Sequence, residues 1–301
     1  MIQPRKVSAP TNELPRGLVW YIIGQPKSGK TTALSKWSAK GVDGTLIIDI
    51  DLGADFVDGA NVIPCTSLYP PVRTKVPKNP VVDGKPLFDK DGHDTDTQEI
   101  IPPEERGFFY RNGPDVGKPM PVYSLQEILA WLSDNLDTLP YTTVVIDTID
   151  KVVGWYEQET FQHFGVTALG EVPFGADYGY LKERTLKMFN LFKTLFKKRG
   201  MDFVIVSHSK ETTIVPAQGK KKAQKQLGPA LGGAIATKLL GEADIIGYSR
   251  GEDSNGTYTI SFEAYDEVKV GSRVRAIAQK ELPFDYNVIA QTIAEYSEEE
   301  K

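Results

Sequence analysis

Eight residues, Gly24-Gln25-Pro26-Lys27-Ser28-Gly29-Lys30-Thr31, carry the most specific chemistry in the chain. The spacing G-x-x-x-x-G-K-T lets backbone N–H groups turn inward around phosphate oxygens. It also lets the Lys30 ammonium reach β- and γ-phosphates, and offers the Thr31 hydroxyl to Mg²⁺. The apolar run 18–23 before the motif predicts a buried strand, and residues 32–37 after it predict a helix whose N-terminus favours anions. Strand, loop and helix in that order are the P-loop context. They predict a nucleotide site built from Gly24, Gln25, Pro26, Lys27, Ser28, Gly29, Lys30, Thr31 and Thr32, with ATP and Mg²⁺ as its ligands.

A second group of residues could act on the bound phosphates. Asp147 closes the apolar stretch 143–146, which is the Walker B arrangement: a carboxylate at the end of a strand, aimed at the Mg²⁺ that Thr31 also meets. Hydrolysis further needs a group to orient or deprotonate the attacking water. Thr148 stands where many ATPases carry a glutamate, so the acid must come from elsewhere. Asp49 and Asp51 end the apolar run 45–51, and strand alternation points both to one side. Asp51, the further out, is the expected catalytic acid, with Asp49 and Asp150 as alternatives. His208 follows a third apolar run, 202–207, and is expected beside the phosphate as a sensor that passes its state into the next loop.

These residues need strands that end together at one edge, and the rest of the chain supplies them. Apolar runs alternate with amphipathic helical patterns, one of them opened by the capping box Ser124-Leu125-Gln126-Glu127. Alternation of this kind predicts an α/β fold, a mostly parallel twisted sheet flanked by helices. Residues 243–249 and 257–262 read as a C-terminal β-hairpin around Ser254-Asn255-Gly256. Residues 70–121 are rich in proline and turn signals and read as a surface insertion. The run 89–96 within it only faintly resembles a calcium loop, having a misplaced glycine and no closing glutamate. The expectation is one domain over 1–301, with an N-terminal arm (1–16), the insertion, and a C-terminal helix with an acidic tail (284–301). The single cysteine, Cys65, excludes an intrachain disulfide, and no apolar run approaches the ~20 residues of a membrane span. No membrane partner and a cytoplasmic location (the host cytoplasm for a phage-encoded chain) are therefore expected. The net charge of −5 argues against wholesale coating of nucleic acid but leaves room for a local basic site.

Taken together, these motifs resemble the RecA-like ATPase core, in particular the short phage-encoded RecA-like ATPases that act in recombination or single-strand annealing. The resemblance covers residues 18–64 and 124–283 and leaves the insertion unmatched. It implies a DNA-dependent ATPase that binds single-stranded DNA, assembles with copies of itself as a filament or ring, and has a single-strand binding protein among its partners. Lys30, Thr31 and Asp147 match the family's nucleotide lysine and Mg²⁺ ligands. Asp51 falls where the family usually has a glutamate, a departure that implies slow hydrolysis. His208 falls where RecA has its glutamine sensor. The resemblance also puts the end of a first DNA loop at 174–178, with Phe174 and Tyr178, and a second at 210–231. Lys269 and Arg273 fall in the element that reaches a neighbour's nucleotide, as an arginine finger does.

The DNA expectation has its own physical ground. Lys210, Lys220, Lys221, Lys222 and Lys225 lie in a stretch punctuated by Gly219 and Gly228, where ammonium groups can meet phosphates and release counterions. Phe174 or Tyr178 would supply the aromatic face on which a base stacks. A hexameric helicase motor and a small-molecule kinase are the alternative readings. The first would form closed rings; the second would need an acceptor pocket and an arginine-rich lid.

Overall fold

A computed structural model of the chain describes residues 14–75, 81–82, 85–86, 97–215, 224–263 and 268–299. The first strand, β1 (Val19–Gly24), is buried along its whole length, so its apolar run has no polar alternation. After it come α1 (Lys30–Leu34), β2 (Thr45–Asp49) and β3 (Asn61–Ser67). The insertion contributes β4 (Val72–Lys75), the short pair β5 (Val81–Val82) and β6 (Lys85–Pro86), and β7 (Thr97–Ile100), which folds back on β4. Next come β8 (Tyr123–Ser124), α2 (Leu125–Asn135), β9 (Thr143–Asp147), α3 (Ile149–Phe164) and α4 (Ala176–Lys197). The remainder is β10 (Asp202–Val215), β11 (Gln224–Pro229), α5 (Gly233–Glu242), β12 (Ile245–Glu252), β13 (Tyr258–Ser261), β14 (Gly271–Ser272), β15 (Glu281–Pro283) and α6 (Tyr286–Glu299).

The main sheet runs β15-β13-β12-β1-β10-β9-β2-β3-β8, with β11 paired to β10 and β14 to β12. From β12 across to β8 the pairings along this path are parallel, whereas β13, β14 and β15 add antiparallel. This is a mixed, mostly parallel α/β sheet, with the expected hairpin at β12–β13. Alternate strand residues serve two cores. Tyr21, Leu46, Ile146 and Phe203 face α2, α3, α4 and α5, while Trp20, Ile47, Val145 and Val204 face Leu34, Trp37 and α6.

Three expectations need correction. The helix after the P-loop ends at Leu34 rather than near residue 37, and the chain then turns so that Trp37 packs edge-on to Trp20 and Phe284. The described parts of the lysine-bearing stretch 210–231 are mainly strand rather than loop: β10 continues through Val215 and pairs antiparallel with β11. Asp51 does not share a strand with Asp49, because β2 stops at Asp49 and the alternation argument lapses there. Residues 1–13, the run 89–96 and Lys220, Lys221 and Lys222 lie outside the described residues. Among the described residues no helix is long and apolar enough to cross a membrane.

An ion pair helps root the insertion in the core. Arg106, 3% exposed, forks onto the Glu127 carboxylate at 2.7 and 2.8 Å and also donates to the Ile101 and Val122 carbonyls. Glu127 meanwhile closes the capping box on Ser124 that starts α2. The Arg106 guanidinium holds the Glu127 carboxyl down at about 2. A depressed carboxyl pKa stabilises the fold above its ordinary value of 4.5, and that stability is lost as pH falls toward 2. Glu127→Gln is therefore expected to lower unfolding stability at pH 7 by about 3 kcal/mol. Urea denaturation should show the gap to wild type narrowing as pH drops through 4.5.

Candidate nucleotide site

The carboxyl ends of β1, β2, β9, β10 and β12 meet along one sheet edge, where open α/β sheets hold their ligands. Register makes the convergence explicit. Gly24 lies beside His208 on one side and Ser249 on the other, and Asp49 lies beside Asp147. The P-loop between β1 and α1 is supported from below by the β12–β13 hairpin. The Ser249 hydroxyl donates to the Ser28 carbonyl at 3.0 Å, and Tyr258 presses against Gly29. Gly29 has φ 77°, and a Cβ there would come within 2.4 Å of the Tyr258 ring. Both the backbone angle and the space demand glycine.

Lys30 is buried and its Nζ donates to the carbonyls of Gln25 (2.6 Å) and Gly24 (3.1 Å), so the ammonium is drawn back across its own loop. Burial lowers its pKa, and the nearby Asp147, Asp150 and Asp51 pull it back up. The Thr31 hydroxyl donates to Asp147 Oδ2 at 2.6 Å. Asp147 is itself 4% exposed, and burial pushes its carboxyl up to about 6. A hydroxyl and a carboxylate side by side are hard oxygen donors that suit Mg²⁺, which takes few protein ligands and completes its shell with phosphates and water. Among the described residues no group of three or more His, Cys, Asp or Glu is placed to hold a metal ion by itself.

The three acids considered from sequence do different things. Asp49 is buried and accepts from the N–H groups of Gly53 (3.2 Å) and Ala54 (2.8 Å), so it caps the turn after β2; burial raises its pKa. Asp51 sits on that turn, accepts from the Thr148 hydroxyl at 3.3 Å and lies 3.6 Å from the Lys151 ammonium. Asp150, in the first turn of α3, accepts from the Ser207 hydroxyl and the His208 backbone N–H, both at 2.6 Å, and lies 3.3 Å from His208 Nδ1. Burial raises Asp150 as well. Of the three, Asp51 alone is exposed, with its neighbours on the edge where the phosphates would lie.

The residues expected to meet DNA or a neighbour are spread more widely. Lys210 is exposed on β10, opposite Gly228, and Lys225 pairs with Thr213 across the same hairpin. Phe174 is fully solvent-exposed at 107% and holds a left-handed φ of 60°; Tyr178, one helical turn on, is half exposed. Lys269 is exposed beside β11, where its N–H donates to the Leu227 carbonyl. Arg273 lies at the opposite edge of the sheet, paired at 2.7 Å with Asp244, whose other oxygen accepts from the Val19 N–H at the start of β1. Lys269 and Arg273 flank β14, one on each side of it. Sequence reasoning missed Ser207, Ser249 and Tyr258. Ser207 and Ser249 each carried a sequence signal, as a hydroxyl at the end of an expected strand.

A P-loop at the carboxyl edge of a parallel sheet, with a strand-end aspartate bonded to its threonine, defines the class of P-loop NTPases. Within that class, a family model described as an AAA domain matches residues 16–280, and the chain belongs to this family of ATPase-type domains. No curated protein matches the chain. Family membership supports ATP binding and hydrolysis.

Proposed function

We propose that the chain is a RecA-like ATPase of one domain, 1–301, that binds single-stranded DNA and uses ATP to control that binding in recombination or strand annealing. One observation carries this reading: the continuity of β10. The strand passes Gly24 at His208, is gripped there by Asp150, and runs on as one arm of a hairpin. In the sequence its two strands are joined by residues 216–223, which include Lys220, Lys221 and Lys222. A shift at the phosphate edge can therefore be transmitted along a hydrogen-bonded ladder to the lysines.

In this reading the residues 24–32 cradle the phosphates, and Lys30 leaves the Gln25 and Gly24 carbonyls to meet them. Thr31 and Asp147 hold Mg²⁺, which when bound offsets charge on the transferring phosphoryl group. Asp51 orients and deprotonates the attacking water, and His208 senses the phosphate. Lys210, Lys220, Lys221, Lys222 and Lys225 meet the DNA backbone, with Phe174 and Tyr178 as stacking faces. The bare ring of Phe174 supports this role, since exposing it to water gains nothing unless something covers it. A neighbouring copy would contribute Lys269, or Arg273 once freed from Asp244. The kinase alternative needs an acceptor pocket at the phosphates. A cavity of about 800 Å³ does exist, but its walls include neither the P-loop nor Asp147, Asp150 or His208.

The test is ATP turnover with and without single-stranded DNA, together with DNA affinity across a salt series. Turnover should rise with DNA. Replacing Lys220, Lys221 and Lys222 by alanine should lower DNA affinity and reduce the slope of log K against log salt by about 2, leaving ATP binding unchanged. An unchanged affinity and slope in that triple variant would sink the DNA assignment.

A further inference from the structure

Among the described residues, the insertion reaches the turn after Asp51 through Arg111 and Asn112. Residues 109–119 form a narrow bridge-linked hairpin in which Phe109 pairs with Pro119 and the N–H of Tyr110 donates to the Lys118 carbonyl. Its base is fixed by Arg106 and its tip carries Arg111 and Asn112. Arg111 Nε lies 2.8 Å from Asp55 Oδ2, its Nη2 donates to the Leu52 carbonyl, and its guanidinium stacks 5.6 Å from the Phe56 ring centre. The Asn112 amide donates to the Asp55 carbonyl at 3.2 Å. All four contacts fall on residues 52–56, the turn that follows Asp51.

That turn needs holding from outside. Leu52 has φ 55°, in the left-handed region that a leucine disfavours, and the Arg111 fork lands on the carbonyl of that same residue. From the other side Asp49 caps Gly53 and Ala54, and the Asp147 carbonyl accepts from the N–H groups of Ile50 and Asp51. Close packing does not do the job. A cavity of about 800 Å³ opens between Ala54, Asp55 and Val57 on the turn and Tyr110 and Met120 on the insertion. Polar contacts from Arg111 and Asn112 bridge its rim.

We propose that Arg111 is a positioning residue for catalysis: reaching from the insertion, it clamps the turn that aims Asp51 at the attacking water. The inference rests on the proposed role of Asp51. It assigns to the insertion, the part of the chain that the RecA-like resemblance leaves unmatched, a share in ATP turnover. A carboxylate that must meet a water within hydrogen-bond reach loses rate when its turn drifts by an ångström, while nucleotide affinity, set by the P-loop on another element, does not change.

The experiment is a double-mutant cycle on full-length protein with MgATP, reading kcat, KM and ATP affinity for Arg111→Ala, Asp51→Asn and the pair. Arg111→Ala is expected to lower kcat about 10- to 100-fold with ATP affinity and melting temperature unchanged. Arg111→Lys should recover little, because an ammonium cannot span the Leu52 carbonyl and the Asp55 carboxylate together. In the Asp51→Asn background, Arg111→Ala should cost nothing further. If Arg111→Ala leaves kcat intact, or slows the Asp51→Asn enzyme by the same factor as the wild type, the clamp is overturned although Asp51 stands. If Asp51→Asn turns over normally, the Asp51 assignment fails and the clamp fails with it.

Discussion

Lys30→Ala is expected to weaken ATP binding by roughly 10²- to 10⁴-fold and to remove turnover, with the fold intact. A charge-assisted hydrogen bond contributes about 1.5–3 kcal/mol, and an ammonium reaching two phosphates makes about two of them. The structure adds a reason specific to this chain. Lys30 stands within the field of Asp147, Asp150 and Asp51, so deleting it leaves three carboxylates facing an incoming polyanion. Its bonds to the Gly24 and Gln25 carbonyls anchor only the loop, so the cores on either side of the sheet keep their packing. Titration with a fluorescent ATP analogue should show the loss, and far-UV circular dichroism should match wild type. Retention of near wild-type affinity would remove Lys30 from the phosphate site.

The nucleotide site was legible because its determinants are local. Six intervening positions set the spacing from Gly24 to Thr31, and the phosphate cradle is built from that one stretch. The strand ends were legible for a related reason. In a parallel sheet with both faces covered, strands read as continuous apolar runs, so the first polar residue after each run marks the common edge. By that logic Asp49, Asp147 and His208 come together, and the register of β2 on β9 and of β1 on β10 is the outcome.

What the sequence hid is the pairing of distant segments. Residues 209–215 and 224–229 are polar, and their composition suggests a loop. They are strands because each completes the other's hydrogen-bond ladder, and no single-segment propensity encodes that. The same holds for the division of labour among acids. Asp49 and Asp51 look equivalent at two-residue spacing. Only the amides of Gly53 and Ala54 folding back onto Asp49 show that it is spent on the turn, whereas Asp51 is exposed beside Thr148 and Lys151. Arg111 lies 59 residues from the carbonyl that it holds, within a stretch whose prolines and turns read as surface decoration.

Asp147→Asn should stabilise the protein while disabling it. Folding raises this carboxyl from 3.8 to about 6 by burying it, so at neutral pH the folded chain carries an ionised group at a cost of about 3 kcal/mol relative to the unfolded chain. The sign follows: stability from this residue falls as pH rises from 3.8 through about 6. Asparagine removes that cost and keeps an oxygen that can accept from Thr31, so a gain of about 1–3 kcal/mol and a melting temperature higher by roughly 2–6 °C are expected at pH 8. On the proposed reading, the same carboxylate holds Mg²⁺ only when ionised, because proton and metal compete for one oxygen. Wild-type affinity for MgATP should therefore weaken as pH falls below about 6, and that dependence should vanish in Asp147→Asn along with at least about 100-fold of turnover. A variant that melts lower than wild type at pH 8 would mean that the buried charge is compensated more fully than its surroundings indicate. One that turned over ATP normally would place the metal elsewhere.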